Sequence, residues 1–286
     1  MNEENKVLRG KVCIVTGANT GIGRVTAMEL ARQGAHVFLA CRNEAKAQLV
    51  VEEIIRETGS LVEFLPLDLG DLQSVRACVK EFESHNLPLH ILVNNAGIAG
   101  SRGVTTDGFE LTFGVNHLGP FLLTNLLLDT LKASAPARIV NVSSRSHYQA
   151  KTIDFDAQRQ STASYTGLPE YESSKLANVL FSSELANRLK STGVTTYAVH
   201  PGVVASDIWH RVPWGFRSLV KLFMISVEDG AKTSIDCALS PSRADETGLY
   251  YDACKTKRPS KASQDTALAA QLWARSEEWV SVQSSS

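Results

Sequence analysis

The sequence predicts an α/β protein built on one doubly wound parallel sheet with helices packed on its faces. Three observations carry this. Short apolar runs alternate with longer segments whose apolar residues recur at helical spacing. The short runs are rich in β-branched residues and unbroken by polar alternation, as strands buried on both faces are. Six such β–α alternations occur with no internal repeat, Pro/Ser-rich linker or composition shift, which places residues 1–286 in a single domain.

In order, the expected strands are residues 12–15, 36–40, 61–65, 89–93, 138–142 and 195–199, with a weaker seventh at 248–251. A seven-stranded parallel sheet follows. The expected helices are 22–33, 44–57, 72–84, 109–131, 171–190 and 228–239. Gly34, Gly59 and Gly193 close several of them and suit a left-handed cap. Two long irregular stretches remain, 145–169 and 205–227, each directly after a strand. Loops of that length are usually functional, and the carboxyl edge of an open α/β sheet is where ligands bind. The serine-rich tail at 281–286 reads as a frayed end.

Composition narrows the field. The chain has 29 Lys+Arg against 30 Asp+Glu, a formal charge of −1, which disfavours a phosphate-gripping nucleic-acid binder. Its 5 cysteines (Cys13, Cys41, Cys78, Cys237 and Cys254) form no CxxC pair, and the histidines show no ligand spacing. A disulfide framework and a metal site are therefore not expected, and a reducing compartment is. The polar start MNEENKVLRGK lacks the apolar stretch of a signal peptide. The longest apolar-rich run, 118–128, falls short of the roughly 20 residues that span a bilayer.

After the first strand comes Thr16-Gly17-Ala18-Asn19-Thr20-Gly21-Ile22-Gly23, then a helix. Glycines there permit a tight turn and let backbone N–H groups approach a pyrophosphate at a helix N-terminus. Arg42 follows the second strand, where an acid would hold a ribose 2′-OH and an arginine accommodates a 2′-phosphate. Arg24 adds positive charge nearby. The bland alternative is a pair of solvated arginines; the phosphate reading favours NADP(H) over NAD.

Tyr171 and Lys175 stand four apart in YESSK, on one helical face. An ammonium near a phenol favours the phenolate, so the pair suits proton exchange with a carbonyl or alcohol oxygen during hydride transfer. Ser143 and Ser144 end the fifth strand, where one hydroxyl could orient that oxygen. Asn116 is poorly suited to a helix interior, which points to a non-local role. His147 reads equally as lining the substrate mouth or as solvated, and His117 as packing.

Together, Thr16–Gly23, Asp68-Leu69, Asn94-Asn95-Ala96-Gly97, Asn116, Ser144, Tyr171, Lys175 and His200-Pro201-Gly202 resemble the short-chain dehydrogenases/reductases from Gly10 to about Val280. The resemblance implies a Rossmann fold and a catalytic tetrad of Asn116, Ser144, Tyr171 and Lys175. Tyr171 would be the acid/base and Ser144, rather than Ser143, would bind the substrate oxygen. Lys175 would hold the nicotinamide ribose and Asn116 a proton-relay water. Gly17, Asn19, Thr20, Gly21, Ile22, Gly23 and Arg42 would hold the cofactor's phosphates. Asp68 and Leu69 would meet the adenine, while Asn94, Asn95, Ala96 and Gly97 would line the cleft. Pro201, Gly202, Val204 and Ser206 would face the nicotinamide.

Within the family, GKVCIVTGANTGIG, ACRN, VNHLGPFLLTNLLL, YESSKLANVLF, GVTTYAVHPGVV and GLYYDAC resemble the retinol dehydrogenases. That implies an NADP(H)-dependent interconversion of an apolar carbonyl and its alcohol, retinal and retinol foremost. Microsomal members carry an N-terminal membrane anchor, whereas this sequence begins almost at its first strand. A cytoplasmic protein, peripheral to the endoplasmic reticulum membrane, is the expectation. The apolar cluster from Ile208 to Ile225, with Trp209 facing substrate, falls where the family has its substrate lid; Arg211, Arg217 and Lys221 within it also permit a peripheral membrane contact. Relatives often dimerise through the helices expected at 109–131 and 171–190, so a homodimer is also implied. The same catalytic residues would serve a carbonyl reductase acting on steroid, xenobiotic or pigment-type substrates. A non-catalytic NADPH-binding sensor would have no need of Tyr171 beside Lys175 and Ser144.

Overall fold

Eight strands make one sheet in the order β3-β2-β1-β4-β5-β6-β7-β8. The structure is a computed structural model and describes residues 6–202 and 225–281. The strands are β1 (Val12–Thr16), β2 (His36–Cys41), β3 (Val62–Pro66), β4 (Ile91–Asn94), β5 (Ala137–Val142), β6 (Val194–His200), β7 (Leu249–Asp252) and β8 (Lys255–Thr256). The first seven run parallel, and β8 turns back antiparallel on β7. The eighth strand escapes the sequence reading because two residues show no period. It follows a tight turn in which Ala253 and Cys254 both take positive φ, 51° and 57°.

The helices are α1 (Gly21–Arg32), α2 (Glu44–Thr58), α3 (Leu72–Ser84), α4 (Gly119–Leu126), α5 (Leu128–Ala133), α6 (Leu168–Arg188), α7 (Val227–Leu239) and α8 (Thr266–Ser281). Strand residues alternate between two cores, one on each face of the sheet. Cys13, Val15, Val37 and Leu39 pack with α1, α2 and α7. Ile14, Phe38, Leu92 and Ile139 pack with α3, α4, α6 and α8. The chain begins at the centre of the sheet, winds outward to β3, then returns to β4 on the other side of β1. Strand order reverses between β1 and β4, which opens a crevice at their carboxyl ends.

The single helix expected over 109–131 is broken. A helical turn at Leu111–Phe113 passes into a five-residue π-turn at Gly114–Leu118, then into α4 and α5. The Glu110 carboxylate caps the start by accepting Phe113 N–H at 2.7 Å. Pro120 has no N–H, so the ordinary helical bond back to the Asn116 carbonyl cannot form. Wide turns of this kind cluster at functional sites, and this one carries Asn116.

The last helix, α8, went unread in the sequence. Its Ala269, Leu272, Trp273, Ser276 and Val280 are buried. Trp273 stacks on Phe181 of α6, Trp279 packs on Phe113, and Ser276 hydrogen-bonds His117 at 2.9 Å. Through these contacts α8 packs against α6 and the π-turn. Among the described residues no helix is long and apolar enough to cross a membrane.

His117 and His200 are buried and held neutral: burial pushes His117 down to about 3 and His200 down to about 4. Both folded values lie below the ordinary histidine value, so their stabilising effect is complete above pH 6.5 and is lost as pH falls. Each should lose roughly 2 kcal/mol between pH 7 and pH 5. Urea midpoints measured at the two pH values should show this drop, and His200→Asn should remove about half of it.

Candidate active site

The crevice between β1 and β4 opens into a cavity of about 910 Å³. Its floor is the glycine loop between β1 and α1. Gly17 takes φ +64°, and an added Cβ there would lie 3.0 Å from Ala96. Gly21 takes φ +57° and faces open space. A Cβ on Gly23 would come to 2.5 Å from both the Gly17 carbonyl and Asn95 Nδ2, so only glycine lets α1 start this close to the sheet. Asn19, Thr20, Ile22, Ala96 and Gly97 also line the space, as expected.

Asn95 holds the crevice together. Its N–H donates to Thr16 Oγ1 at 3.0 Å and its Nδ2 to the Thr16 carbonyl at 2.8 Å, joining the ends of β4 and β1. The expectation for Asn94 is corrected. Strand alternation turns its side chain into the sheet, where Nδ2 donates to Thr124 and to Asn141 at 2.9 Å each.

Arg42, Asp68 and Leu69 close the far end of the cavity. Arg42 lies 3.7 Å from the Asp68 carboxylate and is 79% exposed, so its guanidinium stays open to a ligand. Asp68 also accepts Gly70 N–H at 2.9 Å. Arg24 is different from expectation: its guanidinium forks onto the Glu53 carboxylate, with Nε–Oε2 at 3.0 Å, and it does not line the main cavity.

At the other end, α6 begins three residues earlier than expected, after Gly167 at φ +66°, and brings Tyr171 and Lys175 to the cavity wall. Lys175 Nζ donates to the Val142 carbonyl at 3.0 Å and lies 5.5 Å from the Tyr171 ring centre. Burial pushes this ammonium down to about 8. Burial likewise raises the Tyr171 phenol above its ordinary value, and a hydrogen bond from the Ser144 side chain partly opposes this. Desolvation, rather than the expected lowering by the lysine, sets the direction of the tyrosine's shift.

The two serines separate cleanly. Ser143 Oγ is buried and donates to the Lys175 carbonyl at 2.8 Å, whereas Ser144 reaches the phenol. Asn116 makes three side-chain bonds: Oδ1 accepts Ile98 N–H at 2.8 Å, and Nδ2 donates to the Ile98 carbonyl at 2.9 Å and to Ser174 Oγ at 3.0 Å. It ties the π-turn to α6 one residue from Lys175.

His147 neither lines the mouth nor meets solvent. It is fully buried; Nδ1 donates to the Ser144 carbonyl at 2.6 Å, and Nε2 accepts Ser260 N–H at 3.2 Å. It supports the Ser144 turn from behind. Pro201 lines the cavity and Gly202 follows it. Val204, Ser206, Trp209 and the expected lid lie outside the described residues. The sequence reading missed Lys46, Ser101, Val104, Thr105 and Val115, which line the cavity from α2 and the segment after β4. None of these carries a spacing signal.

The chain matches the short chain dehydrogenase family over residues 11–214, and it belongs to that family. It is an oxidoreductase of that family, and it is similar to proteins named retinol dehydrogenases. Retinol dehydrogenase 12 of Mus musculus is 46% identical over 286 residues, covering 98% of this chain and 89% of that protein. Retinol dehydrogenase 13 of Homo sapiens is 43% identical over 287 residues, covering 97% and 86%. Among solved structures, an uncharacterized protein from Mycobacterium Paratuberculosis superposes with a TM-score of 0.78 at 32% identity, over 96% of this chain and 95% of that one.

Gly23→Ala should crowd the loop against Asn95 and the Gly17 carbonyl. Overpacking of this kind costs about 1–3 kcal/mol. The expected outcome is at least tenfold weaker binding of a reduced nicotinamide dinucleotide by fluorescence titration, with a lowered melting temperature.

Proposed function

We propose that the chain is an NADP(H)-dependent oxidoreductase that interconverts an apolar aldehyde or ketone, retinal foremost, with its alcohol. One observation carries the reading. The Tyr171 phenol, hydrogen-bonded by Ser144 and one helical turn from the buried Lys175 ammonium, stands on the wall of a cavity whose floor is the glycine loop. The residues present fit a dinucleotide. The loop offers a cradle that side chains would fill, Arg42 offers an open cation, and among the described residues the Lys175 ammonium has one acceptor for three N–H donors.

Hydride transfer is the chemistry a bound nicotinamide supplies. Lys175 would hold its ribose hydroxyls with the two donors that Val142 leaves free. In reduction, Tyr171 Oη donates its proton to the substrate oxygen, and the Ser144 hydroxyl orients that oxygen by hydrogen bonding. In oxidation the proton returns to the phenolate. Burial raises the phenol above its ordinary value, so it holds the proton that reduction uses. The bias toward reduction itself rests on Arg42, because cells generally keep NADP reduced. The Asn116 side chain already makes three hydrogen bonds, so its role in a proton relay falls to its backbone carbonyl, which Pro120 leaves without the usual helical donor. The retinoid assignment draws on the likeness to the two retinol dehydrogenases.

The test is NADPH consumption with retinal, a straight-chain aldehyde and a ketosteroid. Retinal should turn over best, and turnover confined to small polar carbonyls would sink the assignment. Tyr171→Phe should lower kcat by about 10²–10⁴-fold while NADPH affinity stays within about twofold; a cofactor-binding sensor would be indifferent. Arg42→Asp should reduce the NADPH/NADH preference at least tenfold, and an unchanged preference would reject the NADP(H) reading.

A further inference from the structure

The stretch GLYYDAC, residues 248–254, lies outside the cavity, yet it holds a charged group that is almost out of water. Asp252 ends β7 with its side chain 5% exposed. Its Oδ2 accepts Arg145 Nε at 2.8 Å and Lys257 Nζ at 2.7 Å. Hydrogen bonds between charged partners are strong where water is excluded. Arg145 is the residue after Ser144.

Arg145 opens the short 3-10 turn Arg145–Tyr148, and Ser144 is its cap: Ser144 Oγ accepts Ser146 N–H at 3.1 Å. Three of the four side chains of this turn are held by the segment 252–260. Arg145 bonds Asp252, His147 Nε2 accepts Ser260 N–H at 3.2 Å, and Tyr148 Oη donates to the Arg258 carbonyl at 2.6 Å. The Arg145 backbone is tied as well, its N–H reaching His200 Nδ1 at 3.3 Å. His200 ends β6, and the strand register sets it opposite Asp252. Of the three side-chain ties, the one to Asp252 joins two charges and stands next to Ser144.

We propose that Asp252 and Arg145 are positioning residues, anchoring the turn to the end of β7 and so aiming the Ser144 hydroxyl at the Tyr171 phenol and the substrate oxygen. The proposal rests on the reading above, in which Ser144 orients the reacting oxygen. A serine hydroxyl is short, so its aim follows the backbone that carries it. Reacting groups must be held to about 0.5 Å, which calls for a fixed support behind them. Neither Asp252 nor Arg145 lines the cavity, so each acts through Ser144.

A double-mutant cycle on the full chain tests this, with NADPH and whichever of retinal, a straight-chain aldehyde and a ketosteroid turns over fastest. Arg145→Gln is the milder variant, because Asp252 keeps Lys257 as a partner. It should lower kcat roughly ten- to hundredfold, the scale of a displacement of about 1 Å at a reacting group, and leave NADPH affinity unchanged. Asp252→Asn should show the same loss. Arg145→Lys keeps a cation within reach of the carboxylate and should recover most of it. In a Ser144→Ala background Arg145→Gln should cost little more, because residues that act through one another are not additive. An undiminished effect in that background, full activity of Arg145→Gln or Asp252→Asn, or no recovery with lysine would overturn the inference. The assigned reaction would survive those results as long as Ser144→Ala itself lowers kcat. If Ser144→Ala and Tyr171→Phe both keep full kcat, the assigned reaction fails and the inference with it.

Discussion

Lys175 carries its ammonium into the protein, where the Val142 carbonyl at the end of β5 accepts it. A buried cation with so few partners is costly, and the surrounding architecture is arranged to tolerate it. Asn178 donates to the same carbonyl, Ser143 holds the Lys175 backbone, and Asn116 reaches Ser174 beside it. The end of β5, the π-turn and the catalytic helix are locked to each other through this one polar knot. Gly97 completes it: a Cβ there would lie 3.2 Å from Asn116 Oδ1 and 3.4 Å from Lys175 Nζ, in the space beside the ammonium.

The same burial sets the protonation of the pair. Desolvation disfavours the charged form of either group, raising the phenol and lowering the ammonium. A lysine near 8 responds strongly to any anion or dipole that enters beside it. Its charge state is therefore coupled to what occupies the cavity, and so is the ease with which Tyr171 releases a proton.

What the sequence revealed and what it hid follow a physical division. The glycine loop, Tyr171 with Lys175, and five of the six expected helices rest on local spacing, and local spacing is legible. Arg24 was misread because Glu53, its partner, lies on the next helix. His147 stayed ambiguous because one of its two bonds reaches Ser260, 113 residues away. Ser143 and Ser144 look alike to local spacing. The family resemblance favours Ser144, and the contacts agree, with Ser143 on the Lys175 carbonyl and Ser144 on the Tyr171 phenol. Asn94 was drawn toward the cleft by its neighbours in the motif, and strand alternation turned it inward. The break at Asn116 had a visible cause in Pro120, yet the apolar run continues across it.

The final helix bears on how the molecule reaches its native state. Arg76 of α3 donates to the Val280 carbonyl at 2.5 Å across 204 residues, and His117, in the turn that carries Asn116, waits for Ser276 across 159. Closing such long loops is slow. During synthesis, the outer side of the tetrad-bearing helices stays uncovered until Thr266–Ser281 have left the ribosome. A nascent chain halted before Thr266 would hold the glycine loop, Tyr171 and Lys175, yet expose the aromatic surface around Phe121 and Phe181 that Trp273 later covers. Completion of the catalytic layer is thus tied to the arrival of Thr266–Ser281.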